Sequence, residues 1–224
     1  MVSQVKRPPT NVIEPRLAPG RDAQRRIIAS ALELLEESNF EELAIGDITS
    51  RAGMAVGNFY RRFKGKAALL PVLYEEYDRI FMRWITSFSE IEAFQSPDAA
   101  VRLRALVVSV FGFFKDHRGL IRALHLNSRL NGQIVPAGSG PARQAIYTQF
   151  AELIDPDSRI EDREALAESM MLIILSTAVE TILYPEQSPS ANVSVAPEAI
   201  IERLATAMVA LVNVSGPNTN DASD

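Results

Sequence analysis

The chain contains no cysteine, only two histidines and a single tryptophan among its 224 residues. Without cysteine there can be no disulfide framework, no thiolate metal site and no cysteine nucleophile. The histidines, His117 and His125, are eight positions apart, and neither a carboxylate nor a third ligand stands at a spacing typical of a metal site. We therefore expect a cytoplasmic protein with no metal and no bound cofactor.

Sequence motifs of the common enzyme classes are missing as well. The stretch PAGSGP at 136–141 lacks the lysine and the strand-to-helix setting of a phosphate-binding loop, and no Gly-x-Ser-x-Gly motif is present. Apolar runs such as MMLIIL at 170–175 are far shorter than the roughly 20 residues that span a bilayer. The first residues lack the apolar centre of a signal peptide. We expect neither an enzyme nor a membrane protein.

The residues that are present suit a folded helical protein. The chain is 47% hydrophobic and 23% charged, as in ordinary globular domains. Apolar residues recur at three- and four-residue steps, which predicts amphipathic helices, and no strand pattern is found. We predict an all-α fold of about nine helices, over 21–38, 45–52, 56–63, 66–93, 97–115, 120–131, 141–154, 160–183 and 197–212.

For two of these helices the sequence predicts further detail, namely where one begins and where the other bends. The stretch SPDAA at 96–100 predicts a helix start with Ser96 as N-cap, Pro97 at the first helical position and Asp98 in the positive first turn. Pro71 stands in the second turn of the long helix predicted over 66–93, and we expect it to bend that helix.

Positive charge is concentrated near the N-terminus, although the formal net charge is −5. The segment 51–66 has five cations, Arg51, Arg61, Arg62, Lys64 and Lys66, and no acid. A charge run is most often a solvated helix face. Here, however, the cations lie on and after the second of two short helices joined by a tight turn at 52–54. That arrangement is typical of a helix-turn-helix, whose second helix enters the DNA major groove.

The stretch FEELAIGDITSRAGMAVGNFYRRFKGKAALL at 40–70 resembles the TetR (tetracycline repressor) family of bacterial transcriptional regulators. The resemblance covers 21–70, and the rest of the chain is similar only in helical layout and length. It implies a homodimeric repressor that binds a palindromic operator in double-stranded DNA and is released by a small apolar or amphipathic effector. The positions that carry it are Phe40, Leu43, Asp47, Ile48, Ala52, Gly53, Gly57, Tyr60, Phe63, Lys66 and Leu69.

We expect Gly53 to adopt the left-handed conformation that the turn requires. Ile48, Phe59 and Phe63 are expected to fill the core of the three-helix head. The first turn of the recognition helix should face base edges, where Asn58 can bond adenine. The resemblance assigns phosphate contacts to Tyr60 and Lys66 and favours one for Arg62. The predicted DNA-binding residues are Val56, Gly57, Asn58, Tyr60, Arg61, Arg62, Lys64 and Lys66.

Three positions depart from the family pattern. Ala44 and Ala55 stand where Thr and Ser commonly cap the two short helices, so each helix loses a cap worth about 1 kcal/mol. Gly46 stands where many members place a long polar side chain, which weakens base reading by the second helix. Lys6, Arg7 and Arg16 can reach a neighbouring minor groove, or they belong to a disordered arm.

The resemblance also implies the organisation of the remaining chain. We expect a disordered arm over 1–18, a DNA-binding domain over 19–66, a ligand-binding and dimerisation domain over 67–214, and a disordered tail over 215–224. The predicted pocket residues are Trp84, Phe88, Phe111, Phe114, His125, Tyr147, Met171, Thr177 and Glu180. The predicted dimer interface contains Met170, Ile174, Ile182, Leu204, Met208 and Leu211.

Alternatives remain open for both regions. The aromatic residues of the second region can be plain core, and Glu180 can pair with an arginine across a subunit interface instead of facing a ligand. The whole chain can also be a helical interaction module whose basic turn binds an acidic protein or a membrane surface.

Overall fold

The computed structural model describes residues 18–131, 139–156, 160–186 and 195–215. Within these ranges it contains nine α-helices and no strand, which confirms the predicted all-α fold. Nearly all of the predicted arm and tail, including Lys6, Arg7 and Arg16, lies outside the described residues. The helices are α1 Ala18–Glu37, α2 Ile45–Arg51, α3 Val56–Tyr60, α4 Leu70–Thr86, α5 Ala99–Asp116, α6 Arg118–Asn131, α7 Ser139–Ile154, α8 Arg163–Ala178 and α9 Pro197–Ser215.

The long helix predicted over 66–93 is divided into shorter pieces. A 3-10 turn over Lys66–Leu69 precedes α4, so Pro71 lies in the first turn of an α-helix, where its missing amide costs nothing. At the other end, the hydroxyls of Thr86, Ser87 and Ser89 each donate to the carbonyl three residues back, at 2.9, 2.7 and 3.1 Å. Such bonds compete with the helical backbone pattern, and α4 ends at Thr86.

The start of α5 differs from its prediction by two residues. Asp98 is the N-cap, because its Oδ1 accepts from the Ala100 amide at 2.8 Å and its carbonyl accepts from the Arg102 amide at 3.2 Å. The Ser96 hydroxyl instead accepts from the Asp98 amide. Pro97 therefore lies just before the helix, and an aspartate caps it.

The chain forms two compact units. The first unit comprises the described residues up to Met82 and those from His117 to Ser139, and it therefore includes α6. Its core is one apolar cluster to which α1, the two short helices, the start of α4 and α6 all contribute. The fully buried members are Ile27, Ala31, Leu35, Ile48, Phe59, Phe63, Leu69 and Leu73.

Helix α6 approaches the backbone of α1 closely at Gly119. A Cβ atom at this position would lie 2.1 Å from the Leu35 carbonyl oxygen and 2.8 Å from the Glu36 nitrogen. Two further bonds fix α6 to the segment that follows α1: Arg122 donates to the Ser38 carbonyl at 3.1 Å, and Asn127 donates to the Glu41 carboxylate at 3.1 Å. Only glycine permits this packing distance at position 119.

The second unit comprises Arg83–Asp116 and the described residues from Gly140 onward. Helix α5 packs against α8 and α9, and α8 ends in a π-helical turn over Val179–Leu183. The segment Arg163–Leu183 passes a test of length and composition for membrane helices, but buried helices of soluble proteins pass the same test. We therefore do not assign this segment to a membrane.

A buried arginine fixes the ends of two helices in the second unit. Arg102 is 4% exposed, and its guanidinium donates to the carbonyls of Ser96, Pro97, Leu153 and Ile154. The first two precede α5 and the last two end α7. These carbonyls satisfy the donors of a charged group that burial would otherwise destabilise.

The predicted boundary at residue 66 separates a DNA-binding domain from a ligand-binding and dimerisation domain. Because it divides the chain by function, it stays a prediction. By packing alone, the first unit extends beyond that boundary and includes α6.

Candidate nucleic-acid interface

The turn between α2 and α3 has the geometry predicted for it. Gly53 has φ +65°, which confirms the left-handed conformation. Its amide donates to the Ser50 carbonyl at 3.0 Å, and the Met54 amide donates to the Thr49 carbonyl at 2.9 Å. These are the two bonds of a Schellman motif, so backbone amides satisfy the Thr49 and Ser50 carbonyls at the end of α2.

The helix-turn-helix buries Phe59 of α3 and Phe63 just after it, and leaves most of the other α3 residues exposed. Phe59 and Phe63 are fully buried, as predicted, whereas Val56 and Tyr60 are 44% and 54% exposed. Gly57 is also exposed and Asn58 is half-buried. The predicted recognition residues therefore share a solvent-facing surface.

Neither short helix has a side-chain cap, as the alanines at its N-terminus predict. Ala44 and Ala55 have extended backbone, and neither makes a cap hydrogen bond. Because α3 has only five residues, too few for a helix to be stable alone, its position depends on packing and on bonds to the rest of the unit.

Two arginines supply such bonds between α1 and the helix-turn-helix. Arg26, on α1, donates to the Ala52 carbonyl in the turn. Arg62, just after α3, donates from Nε to the Gly20 carbonyl in the first turn of α1 at 3.2 Å. Its Nη1 also donates to the Asn58 carbonyl at 2.7 Å. The two side chains thus connect α1 to the turn before α3 and to α3 itself.

Two other cations of the basic segment are also held by groups of the chain. Arg51 binds the Glu37 carboxylate through two bonds of 2.7 and 3.1 Å. This hydrogen bond and the attraction of opposite charges lower the pKa of Glu37 and raise that of Arg51. Lys66 donates to the Glu41 carbonyl at 2.6 Å, and its ammonium lies 5.3 Å from the centre of the Phe40 ring.

Arg61 and Lys64 are different. Both are exposed, and among the described residues neither side chain has a hydrogen-bond or ion-pair partner. Their charges are therefore available to an anion in solution. Of the five cations between residues 51 and 66, these two have side chains free to bind an anion, whereas the other three bond to groups of the chain. Each of those three has a bond to a residue at least 14 positions away in sequence.

The predicted pocket residues are spread over the two units. His125 belongs to the first unit, where its Nε2 accepts from Arg129 at 3.2 Å. In the second unit, Phe111, Phe114 and Met171 are buried. Tyr147 and Thr177 are half-buried, and Glu180 is exposed. Within the single chain, Glu180 is therefore accessible to solvent.

Two of the predicted pocket residues lie in an aromatic cluster. The Trp84 ring contacts Phe88 and Phe113 at centroid distances of 4.9 and 4.6 Å, and its Nε1 donates to the Ser109 hydroxyl at 3.0 Å. Phe88 also contacts Phe94 at 4.6 Å. Phe94 and Phe113 were not among the predicted residues, although Phe113 directly precedes Phe114.

The predicted dimer residues mostly face inward. Met170, Ile174, Leu204 and Met208 are at most 9% exposed within the single chain, and their place in a dimer interface stays a prediction. Both faces of α8 are apolar, and periodicity selected the face that packs inside the unit. The large apolar residues that α8 and α9 expose are Leu172, Ile173, Leu211 and Val214, of which only Leu211 was predicted; Ile182 is half-buried.

No three histidine, aspartate or glutamate side chains lie close enough to hold a metal ion in the part of the chain that the structure describes.

Comparison with known proteins supports the identity of the N-terminal helices. Residues 27–73 match the family of bacterial regulatory proteins named tetR. An uncharacterized HTH-type transcriptional regulator of Bacillus subtilis, YerO, is 30% identical over 100 residues, which are 45% of this chain and 34% of that protein. The chain thus matches about a third of this relative's length.

Two solved structures resemble the whole fold. One is a protein of Mesorhizobium loti assigned to the TetR family of transcriptional regulators, with a TM-score of 0.62, 16% identity and coverage of 91% and 100% of the two chains. The other, a TetR-family regulator of Streptomyces coelicolor, has a TM-score of 0.60, 24% identity and coverage of 87% and 82%. Residues 27–73 are a TetR-family helix-turn-helix domain, in a chain with the fold of these proteins.

Proposed function

We propose that this chain, with its TetR-family helix-turn-helix, is a cytoplasmic transcriptional repressor that binds operator DNA as a homodimer. The observation that carries the proposal is the exposed face of α3, where Val56, Gly57, Asn58 and Tyr60 reach solvent. Buried Phe59 anchors the opposite face. An exposed helix face directly after a tight turn fits the major groove.

The chemistry of that face suits DNA. The Asn58 amide can form two hydrogen bonds with adenine, and Val56 can contact a thymine methyl group. Arg61 and Lys64, which have no partner within the described residues, supply charges for phosphates on either side. Tyr60 can add a hydroxyl bond to a phosphate oxygen.

A homodimer follows from the small size of the recognition helix. Five residues contact too few base pairs for specific binding, and a two-fold dimer reads two half-sites. The exposed apolar residues Leu172, Ile173, Leu211 and Val214 support an interface that includes α8 and α9. Their burial against a second copy would remove apolar surface from water.

Release by an effector is the regulatory part of the proposal. The cluster around Trp84 and Phe88, with the Ser109 hydroxyl at the indole nitrogen, offers an apolar wall with a polar group, as small-molecule sites do. The effector is therefore expected to be small and apolar or amphipathic. A hundredfold loss of DNA affinity requires it to favour the non-binding state by about 2.7 kcal/mol.

The test is selection of duplexes from random-sequence DNA by the full-length protein, followed by binding measurements with Asn58→Ala. We expect the wild type to select an inverted repeat. Asn58→Ala should lose preference at one base pair per half-site, by about 1 to 3 kcal/mol. Asn39→Ala, in the connection between α1 and α2, is the matched control and should select the same sequence as the wild type.

Failure to select any sequence would contradict the proposal. Binding of the same protein to vesicles with anionic lipids, or to an acidic polypeptide, would then favour the interaction module instead.

A further inference from the structure

We propose that Arg62 is a positioning residue that sets the orientation of the recognition helix, and that phosphate is contacted by its neighbours Arg61 and Lys64. The inference rests on the proposed DNA binding and assigns different roles to two adjacent arginines. It also departs from the sequence-based expectation, which favoured Arg62 for phosphate.

The hydrogen bonds of Arg62 carry the inference. Its guanidinium is half-buried and donates to two backbone carbonyls, that of Gly20 at 3.2 Å and that of Asn58 at 2.7 Å. These carbonyls belong to α1 and to α3, respectively. Arg62 therefore joins the first turn of one helix directly to the residue predicted to read a base.

The planar guanidinium is suited to this role. It holds several N–H donors in a fixed plane, so one side chain can bond two carbonyls that point in different directions. A lysine ammonium is a compact, strongly hydrated charge on a flexible stem, and it would not be expected to hold both carbonyls in a fixed geometry. Substitution by lysine therefore preserves the charge but not the connection.

The surroundings of α3 explain why such a connection matters. The helix has five residues and no side-chain cap, so it cannot hold its own axis by local bonds. The core residue Phe59 fixes its depth, and Arg26 fixes the turn before it through the Ala52 carbonyl. Arg62 supplies the matching bond at the opposite end. Without it, Asn58 would sample several orientations toward the groove.

Arg61 is the internal comparison. It is exposed and has no hydrogen-bond or ion-pair partner in the ranges that the structure describes. A phosphate contact releases counterions, so its loss lowers the slope of log affinity against log salt by about 0.9. A positioning residue contributes no such release, and its loss should instead reduce discrimination between sequences.

The experiment measures full-length Arg61→Ala, Arg61→Lys, Arg62→Ala and Arg62→Lys. Each is titrated over a range of salt with the duplex that the wild type selects from random-sequence DNA and with an unrelated duplex. Arg61→Ala should lower the salt slope by about 0.9 per lost contact on both duplexes, and Arg61→Lys should restore it. Arg62→Ala and Arg62→Lys should keep the slope on the unrelated duplex and lose about tenfold in the affinity ratio of the two duplexes.

The results separate the inference from the proposed function. If the wild type selects no duplex, the proposed function fails and this inference with it. If the wild type binds but Arg62→Ala behaves as Arg61→Ala does, with the slope restored by Arg62→Lys, only the positioning role is overturned. Thermal unfolding checks that each variant folds. Should Arg62→Ala not fold, Arg62→Lys decides, because wild-type discrimination by that variant contradicts the role.

Discussion

The two compact units stabilise the surfaces proposed to bind DNA and a second copy in different ways. In the first unit, charged side chains bond to backbone carbonyls at turns and helix ends, as Arg26, Arg62 and Lys66 do. In the second unit, aromatic rings pack on one another, and α8 and α9 leave large apolar side chains such as Leu172 exposed. Arg102 is an exception there, with four carbonyl partners.

The difference shows what each surface needs in order to function. The proposed DNA-binding face is fixed by bonds within one chain, so it exists before DNA arrives. The apolar residues that α8 and α9 expose would instead be stabilised by burial against a second copy. Local sequence predicts the left-handed turn and the buried rings behind the first surface, and the binding role of both surfaces stays a prediction.

The largest effects on stability and on dimerisation are expected when a charge replaces a buried or an exposed apolar residue of α8 or α9. Met208 is 1% exposed, so Met208→Glu buries an unpaired carboxylate and should destabilise the fold by about 3 to 5 kcal/mol. Leu172 is 67% exposed, so Leu172→Glu should leave the single chain folded but prevent dimerisation. Circular dichroism on heating and sedimentation equilibrium measure the two outcomes. A Leu172→Glu protein that sediments as a dimer would place the interface elsewhere.

Two glycine substitutions, one in each unit, compare close backbone packing with open space. Gly119→Ala introduces a Cβ that collides with the α1 backbone at Leu35 and should destabilise the first unit by about 3 kcal/mol. Gly112→Ala, in α5, meets nothing within 4 Å and should stabilise the second unit by about 0.5 to 1 kcal/mol, because alanine favours helix. Urea unfolding measures both. Equal effects would mean that α6 is not held against α1 at Gly119.

The smallest effects are expected from two exposed ion pairs, in which the units behave alike. Hydrogen bonds from Arg51 and Arg104 lower the pKa values of Glu37 and Glu202, respectively. Each pair therefore contributes stability above the unfolded pKa of its glutamate and loses it as the pH falls through the folded value. Because all four groups are exposed, screening keeps the change small.

Titration of the carboxyl carbons by NMR checks both pairs. Arg51→Ala and Arg104→Ala should each return one glutamate to its ordinary pKa and leave the other unchanged. Ordinary pKa values for both glutamates in the wild type would show that neither pair persists in solution.

Several features of the fold could be predicted because they are encoded within a few residues. Gly53 has no side chain to oppose the left-handed turn, and Phe59 and Phe63 follow the apolar period of a helix on a core. The end of α4 was missed, although the hydroxyls of Thr86, Ser87 and Ser89 were a local signal for it.

The remaining features depend on contacts between distant parts of the chain. The partner of Arg62 is 42 positions away and that of Lys66 is 25 positions away, and both are backbone carbonyls, which every residue has. No side-chain pattern marks them. The inward face of α8 could not be distinguished from its outward face, since Ile174 and Ile173 are equally apolar and adjacent.

The contact at Gly119 has a consequence for biosynthesis. Domains generally fold as units, N-terminal parts first, while the ribosome adds about 5 to 20 residues per second. The first unit needs α6, yet α6 ends at Asn131, so the ribosome must first complete the intervening α5 of the other unit. For several seconds the nascent helix-turn-helix lacks the neighbour that covers Leu35 and the loop after α1. A chain truncated before α6 should therefore expose this surface permanently, and chaperones that bind apolar nascent segments would find it there.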